Sequence, residues 1–445
     1  METHKSKRLM QRLRSPYLLL FIVVYLLCGI TRIATSFDSR WTVPVVLQLF
    51  KSGNIRLDDY KAMMREAPGY GVVCVISSGV TPETDPERCV GHWYPAYPLG
   101  GPLLAAPIVL LYVGIFEIVG LDPLRYRAHI EMESASVLIA VAAVLIFAIA
   151  KRQTTTQNAL TVAFIFALAT PAFSTGTRAL WQHTFSVFLL TISIYLLMRA
   201  STRPALYGWA GLPVALLCTV RPSNAFFVVL LTVYVARRNR GALFRFGLFA
   251  FAVALLFLTL NLSVYHDLLP PYYKARAGMD APGYWPAVVR AACGLLFSPS
   301  RGLIVFTPIF LFSVYNMIRG DWRVPIASWL AAGTGCYFVL LCLFLGPASY
   351  PGNWWGGASY GPRLLTDLSP LLCLFLIPTL EKWPGLSPWT RKLFLCLALV
   401  SGVIHYRAAW AEAVWRWNVT PQNVDVSSER VWDWKDPQFL RWRSI

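Results

Sequence analysis

Charge is what this sequence has least of. Only 14% of its 445 residues are Asp, Glu, Lys or Arg, where soluble globular domains carry about 25%, and that shortfall excludes a water-soluble domain. Disorder is excluded too, because 56% of the chain is hydrophobic, with 17 Trp, 26 Phe and 20 Tyr. Acidic residues are the scarcer sign, 22 against 40 Lys and Arg, for a formal charge of +18. In a soluble chain that excess would point to nucleic acid; in a membrane chain the retention of basic loops on the cytoplasmic side explains it. Metal-ligand spacing is missing among the nine cysteines, most of which fall inside apolar runs where a thiol is a small hydrophobe. Cys74 and Cys89 differ, since they share one polar loop: they pair if it faces an oxidising compartment and stay free thiols otherwise. Internal repeats and low-complexity tracts are absent. The first apolar stretch lacks a small-residue cleavage site after it, so it reads as a membrane helix.

What is present is a series of apolar stretches. About 20 such residues cross a bilayer as a helix, and twelve candidates occur: 17–33, 99–121, 134–150, 158–174, 184–198, 205–220, 225–236, 246–265, 302–318, 324–346, 364–380 and 393–409. The basic N-terminus (Lys5, Lys7, Arg8, Arg12, Arg14) is expected in the cytoplasm. If 99–121 crosses, every later basic turn faces outward, against the rule. If it lies in the outer interface, 18 basic residues gather on the cytoplasmic side, opposed only by Glu2, Asp321 and Glu381. The other 22 basic and 19 acidic residues are then outside, almost balanced, and no nucleic-acid partner is needed.

The expected fold is therefore an all-α polytopic membrane protein, a single integral domain over 1–445 with about eleven transmembrane helices. Residues 34–130 form a large first extracytoplasmic loop with interfacial helices at 41–54 and 99–121, and 410–445 form an extracytoplasmic tail. Polar segments at 32–130, 175–183, 266–301 and 347–363 share one side of the bilayer with that tail. The working face is extracytoplasmic.

Asp38 lies just beyond the first helix, where partial desolvation can tune a carboxylate into a general base. Its plainer roles are an ion pair with Arg40 or an N-cap for the following helix. In GHWYPAYP, His92, Trp93, Tyr94 and Tyr97 suit an interfacial aromatic belt, or a rigid lip that receives a sugar or isoprenoid chain. His183, in the turn TRALWQH, reads either as a solvated turn residue or as a site group. Arg178, Arg221, Lys274, Arg276, Arg301 and Arg363 fall at the outer boundary, and Tyr272 accompanies Lys274. One boundary arginine usually snorkels to headgroups, whereas several on one side could hold a phosphate through charge-assisted forks. The segment YPGNWWGGASYGPRLLTD is the densest: a belt accounts for Trp354, Trp355 and Tyr360 but not for the glycines and Arg363. Asp367, four residues on, is expected to pair with Arg363.

Taken in order, these residues resemble the polytopic lipid-linked-sugar glycosyltransferases of the GT-C fold, which include aminoarabinose transferases, protein O-mannosyltransferases and the catalytic subunit of oligosaccharyltransferase. The strings FSPSRGLIVFTP, WWGGASYGPRLL and ERVWDWKDPQF resemble bacterial membrane proteins assigned to this fold. The resemblance implies an inverting transfer from a polyprenyl-phosphate sugar to a glycan, lipid or protein acceptor, in a bacterial inner membrane. Asp38 matches the base. The resemblance further suggests Arg301 and Arg363 on the phosphate, and Arg40, His92, Tyr94, Arg178, His183, Tyr272, Lys274, Trp354, Trp355 and Tyr360 around the substrates. Many members place a second acid in the next outer loop, where 177–183 offers only Arg178 and His183, so no cofactor is expected and the need for a divalent metal is left open. A lipid-linked-sugar flippase and a noncatalytic assembly subunit are the alternatives.

Overall fold

The computed structural model describes residues 15–35, 37–273, 283–320, 324–345 and 353–442; Lys274 and Arg276 lie outside them. Almost every element is a helix. The first is α1 (Pro16–Gly29), apolar on all faces, with proline at its first position where the missing N–H costs nothing. The outer loop follows with α2 (Thr42–Ser52) and α3 (Lys61–Glu66). It also holds a three-stranded sheet that an all-α reading does not include: β1 (Val72–Ile76), β2 (Gly79–Thr81) and β3 (His92–Pro95). β1 is central and antiparallel to both neighbours, with Cys74 opposite Thr81 on one side and Trp93 on the other. β1 is VVCVI, a β-branched run of the kind that favours strands. Cys74 is bonded to Cys89. Trp41, Val45, Leu57, Met64, Val72 and Trp93 form a small core that fastens α2 to this sheet.

The remaining helices are α4 (Gly100–Ile118), α5 (Arg127–Ala150), α6 (Thr156–Leu168), α7 (Gln182–Ala200), α8 (Ala205–Trp209), α9 (Gly211–Val220), α10 (Ala225–Arg238), α11 (Leu243–Tyr265), α12 (Tyr284–Phe297), α13 (Leu303–Phe306), α14 (Phe310–Arg319), α15 (Pro325–Leu345), α16 (Ser369–Leu374), α17 (Ile377–Glu381), α18 (Pro388–Trp410) and α19 (Glu412–Arg416). Three expected single spans are divided, 205–220 among them, into α8 and α9. The stretch 302–318 divides into α13 and α14 around Thr307-Pro308, and 364–380 becomes a 3-10 segment (Arg363–Leu368) followed by α16 and α17, where Pro370 and Pro378 remove backbone donors. Side-chain caps start two helices: Thr155 accepts from the Asn158 N–H, and Ser387 from the Thr390 N–H.

Among the described residues, seven helical stretches are long and apolar enough to cross a membrane, and α4 is one of them. Its contacts place both of its ends on one side of the bundle. Its first turn lies against the ends of α9 and α7, so close that a Cβ on Gly100 would sit 2.3 Å from Thr219 Oγ1. Further along, Tyr112 shares a 2.8 Å hydrogen bond with Tyr25 in the last turns of α1, and Phe116 packs on Tyr126 just ahead of α5. The end of α1 is held at the same level by Arg178, whose guanidinium donates to the Cys28 carbonyl at 2.6 Å, an acceptor the helix terminus leaves open, and to the Ile33 carbonyl beyond it at 3.1 Å. The opposite end is basic: Lys151 lies over the Tyr17 ring at the start of α1, and Arg199, Arg237, Arg238 and Arg319 occupy last turns there.

Candidate functional site

The segment after α1 turns at Phe37–Arg40 and delivers Asp38 to the rim of the bundle. Each carboxylate oxygen has its own partners. Oδ1 accepts from Tyr70 Oη at 2.6 Å and Tyr97 Oη at 3.1 Å, and Oδ2 accepts from Arg363 Nη1 at 3.0 Å. Burial and the Asp38 charge push both tyrosine hydroxyls above their ordinary range, so they stay protonated and act as donors. Tyr70 comes from the turn before β1 and Tyr97 from the turn after β3, which makes the sheet the frame of this carboxylate. Arg363 arrives from the far end of the chain, stacks on the Trp181 ring at 4.8 Å and keeps a buried Nε–H without a hydrogen-bond partner.

Two sequence expectations are corrected here. Asp38 neither caps α2 nor pairs with Arg40, which binds Glu66 at 2.9 Å and the Met63 carbonyl on α3. Asp367 does not pair with Arg363, because Arg363–Leu368 is a 3-10 helix; there residues three apart are eclipsed and residues four apart diverge. Asp367 is instead fully buried beside Arg221, whose Nη1 donates to Oδ2, with Tyr337 Oη donating to the same oxygen at 2.7 Å. His183 is buried as well, not solvated. Its Nδ1 lies 3.2 Å from Asp367 Oδ1 and 3.0 Å from Arg221 Nη1. A protonated Nδ1 donates to the acid, a bare one accepts from the arginine, and one tautomer cannot do both. Exposed Tyr272 packs its ring on Tyr97 at 4.9 Å.

Other expected site residues sit apart from this cluster. All five N–H donors of Arg301 are engaged by the protein: Nε by the Trp355 carbonyl, Nη1 by the Ser300 carbonyl and Gln438 Oε1, Nη2 by the Gly357 carbonyl and Asn418 Oδ1, at 2.6–3.2 Å. None is left for a phosphate oxygen. Arg178 is fully enclosed by α1 and Thr177. Trp354 is buried against Gly294, Trp355 donates to Asp425 at 2.8 Å, and the buried Tyr360 donates to the Ile404 carbonyl at 2.6 Å. His92 is exposed and pairs with Asp58 at 2.8 Å, and Tyr94 rests edge-on against Tyr265.

Two acids at the head of α5 escaped the sequence reading. Glu131 is fully buried and accepts a hydrogen bond from Ser39, the residue next to Asp38; Glu133 accepts from Tyr25 Oη at 2.8 Å. Their signal was a pair of carboxylates in EMES, leading an apolar helix where charge is expensive. Among the described residues, no group of three or more His, Cys, Asp and Glu is placed to hold a metal. Beside Asp38 opens a small recess of about 30 Å³, between α2, the start of α4 and the start of α7.

No protein-family model matches this chain, and no curated protein does. Among solved structures it is similar to the oligosaccharyltransferase of Archaeoglobus fulgidus in its apo form, with a TM-score of 0.45 and 11% identity, over 97% of this chain and 62% of that one. The chain thus spans under two thirds of that protein's length, and a likeness of this degree carries no argument about activity.

Proposed function

We propose that this chain is an inverting membrane glycosyltransferase that moves a sugar from a polyprenyl-phosphate donor to an acceptor hydroxyl on the extracytoplasmic face of a bacterial inner membrane. The observation that carries the reading is the meeting of Asp38 with Arg363, 325 residues apart, beside a recess bordered by the two helices expected in the interface, α2 and α4. In the step we envisage, Asp38 takes the proton of the acceptor hydroxyl as its oxygen bonds to the anomeric carbon. The bond from that carbon to the phosphate oxygen breaks, and the electron pair leaves on the polyprenyl phosphate. Arg363, with an Nε–H to spare, and Arg221 are the cations assigned to that leaving group, and His183 and Tyr272 border the sugar. Eleven crossings fit the placement of both ends of α4 on the Asp38 side.

A transporter would carry its charged groups near the bilayer midplane on broken helices. Here Arg221 and His183 fall at helix ends, and Asp367, on the 3-10 segment that opens a broken stretch, pairs with both of them there; charges gathered at helix ends favour the enzyme. The experiment is incubation of the purified protein with polyprenyl-phosphate sugars of several kinds, following the release of polyprenyl phosphate. Release from at least one donor is expected. A protein that neither binds nor cleaves any of a broad panel overturns the reading.

A further inference from the structure

The recess beside Asp38 has walls of an unusual kind for a site that handles sugars and phosphates. Trp41, Val45, Pro98, Leu180, Phe185 and Val220 are among its lining, and the only charged side chain there is Asp38 itself. Arg363 holds the Oδ2 atom of that carboxylate and is not part of the lining. Arg363 offsets the charge of that carboxylate, and the wall itself holds no cation with which an entering anion could pair. Across the recess stands Gln182, whose Nε2 is buried without a hydrogen-bond partner, as is Nε1 of the adjoining Trp181, itself 2% exposed. A buried donor left unmade is costly, and native proteins keep few of them without a reason. Of the other polar residues in the lining, Ser39 donates to Glu131 and Tyr97 to Asp38, and Thr42 adds a hydroxyl; Asp38 supplies an acceptor and Gln182 an idle donor. A hydroxyl satisfies both, since it donates to a carboxylate while accepting from an amide N–H. The hydrocarbon and aromatic walls require that the hydroxyl arrive on an apolar body, and interfacial helices on two sides give such a body a route from the bilayer.

We infer that this recess is the acceptor subsite and that it takes the hydroxyl end of an uncharged, lipid-borne alcohol, with Gln182 fixing the oxygen that Asp38 deprotonates. The inference rests on the transferase reading but is tested by binding alone. The full-length protein in nanodiscs is irradiated with three probes: a diazirine-bearing isoprenoid alcohol, its methyl ether and its monophosphate. Labelled peptides are then mapped by mass spectrometry. The alcohol is expected to label peptides containing Val45 and Phe185 at least about fivefold more than either analogue, the yield of one hydrogen bond. Gln182→Leu is expected to lower that labelling by a similar factor. Should that variant fail to fold, Val45→Phe, which fills the recess from the other wall, is expected to do the same. Equal labelling by the monophosphate or the ether, no labelling by any probe, or labelling indifferent to both substitutions overturns the inference. An active transferase whose recess stays unlabelled defeats this inference alone, whereas a labelled recess in a protein without transferase activity defeats the functional reading alone.

Discussion

Arg301 and Arg363 look alike in sequence, each beside glycine and proline at the outer ends of helices, yet they occupy opposite kinds of site. Arg301 is 1% exposed and meets only neutral oxygens, gathered from Ser300, Trp355, Gly357, Asn418 and Gln438. It knots the C-terminal tail onto the segment that leads to Arg363. Arg363 spends one N–H on a carboxylate, stacks on an indole and keeps its Nε–H unmatched. A guanidinium whose donors are all consumed is scaffold; one with capacity left beside a carboxylate is equipped to meet a ligand.

Four substitutions sharpen or break that contrast. The largest effect is expected from Arg301→Met, which strands the Gln438 and Asn418 oxygens and several carbonyls: a loss of at least about 3 kcal/mol in stability, at about 1–3 kcal/mol for each acceptor left unmatched, read as a lowered thermal midpoint and poor recovery of folded protein. Arg363→Lys keeps the charge and loses the fork. A fall in transfer of about tenfold to a hundredfold is expected, or about 1.4–2.7 kcal/mol, with little change in midpoint. If the two variants exchanged phenotypes, the division would be wrong. Tyr97→Phe removes one of two tyrosine donors from Asp38 Oδ1 and is expected to lower transfer by about 1.5 kcal/mol, the smaller end for a bond to a charged group. His92→Ala, at an exposed pair with Asp58, is expected to change neither stability nor transfer by more than about 0.5 kcal/mol.

How much of this was legible beforehand depended on the range of the interaction. Apolar runs and flanking charge mark out helices because the bilayer imposes its thickness locally. They leave 99–121 ambiguous, and the contacts that bear on it, Gly100 against Thr219 and Tyr112 against Tyr25, join it to residues remote in sequence. Asp38 and Arg363 could be chosen as chemical candidates, but nothing local joins residue 38 to 363. Local rules even misdirected: helical spacing paired Arg363 with Asp367, and the 3-10 geometry sent Asp367 to Arg221 and His183 instead. The small sheet went unseen because its strands are three to five residues long and bounded by polar turns. Local sequence puts Arg301 with the phosphate because two of the acceptors that consume it, Asn418 and Gln438, come from the tail, more than a hundred residues later. Glu131 and Glu133 are legible in retrospect as acids leading an apolar helix.

The most direct test of the central claim is the rate of sugar transfer by Asp38→Asn, measured alongside its thermal midpoint. The amide keeps one oxygen for the Tyr70 and Tyr97 donors, sets its NH2 against Arg363 Nη1 and cannot take a proton. The account predicts a fall of at least about a hundredfold, the lower range for loss of a general base, with the protein still folded and still binding its lipid-linked donor. Transfer at the wild-type rate from a folded Asp38→Asn protein would contradict it.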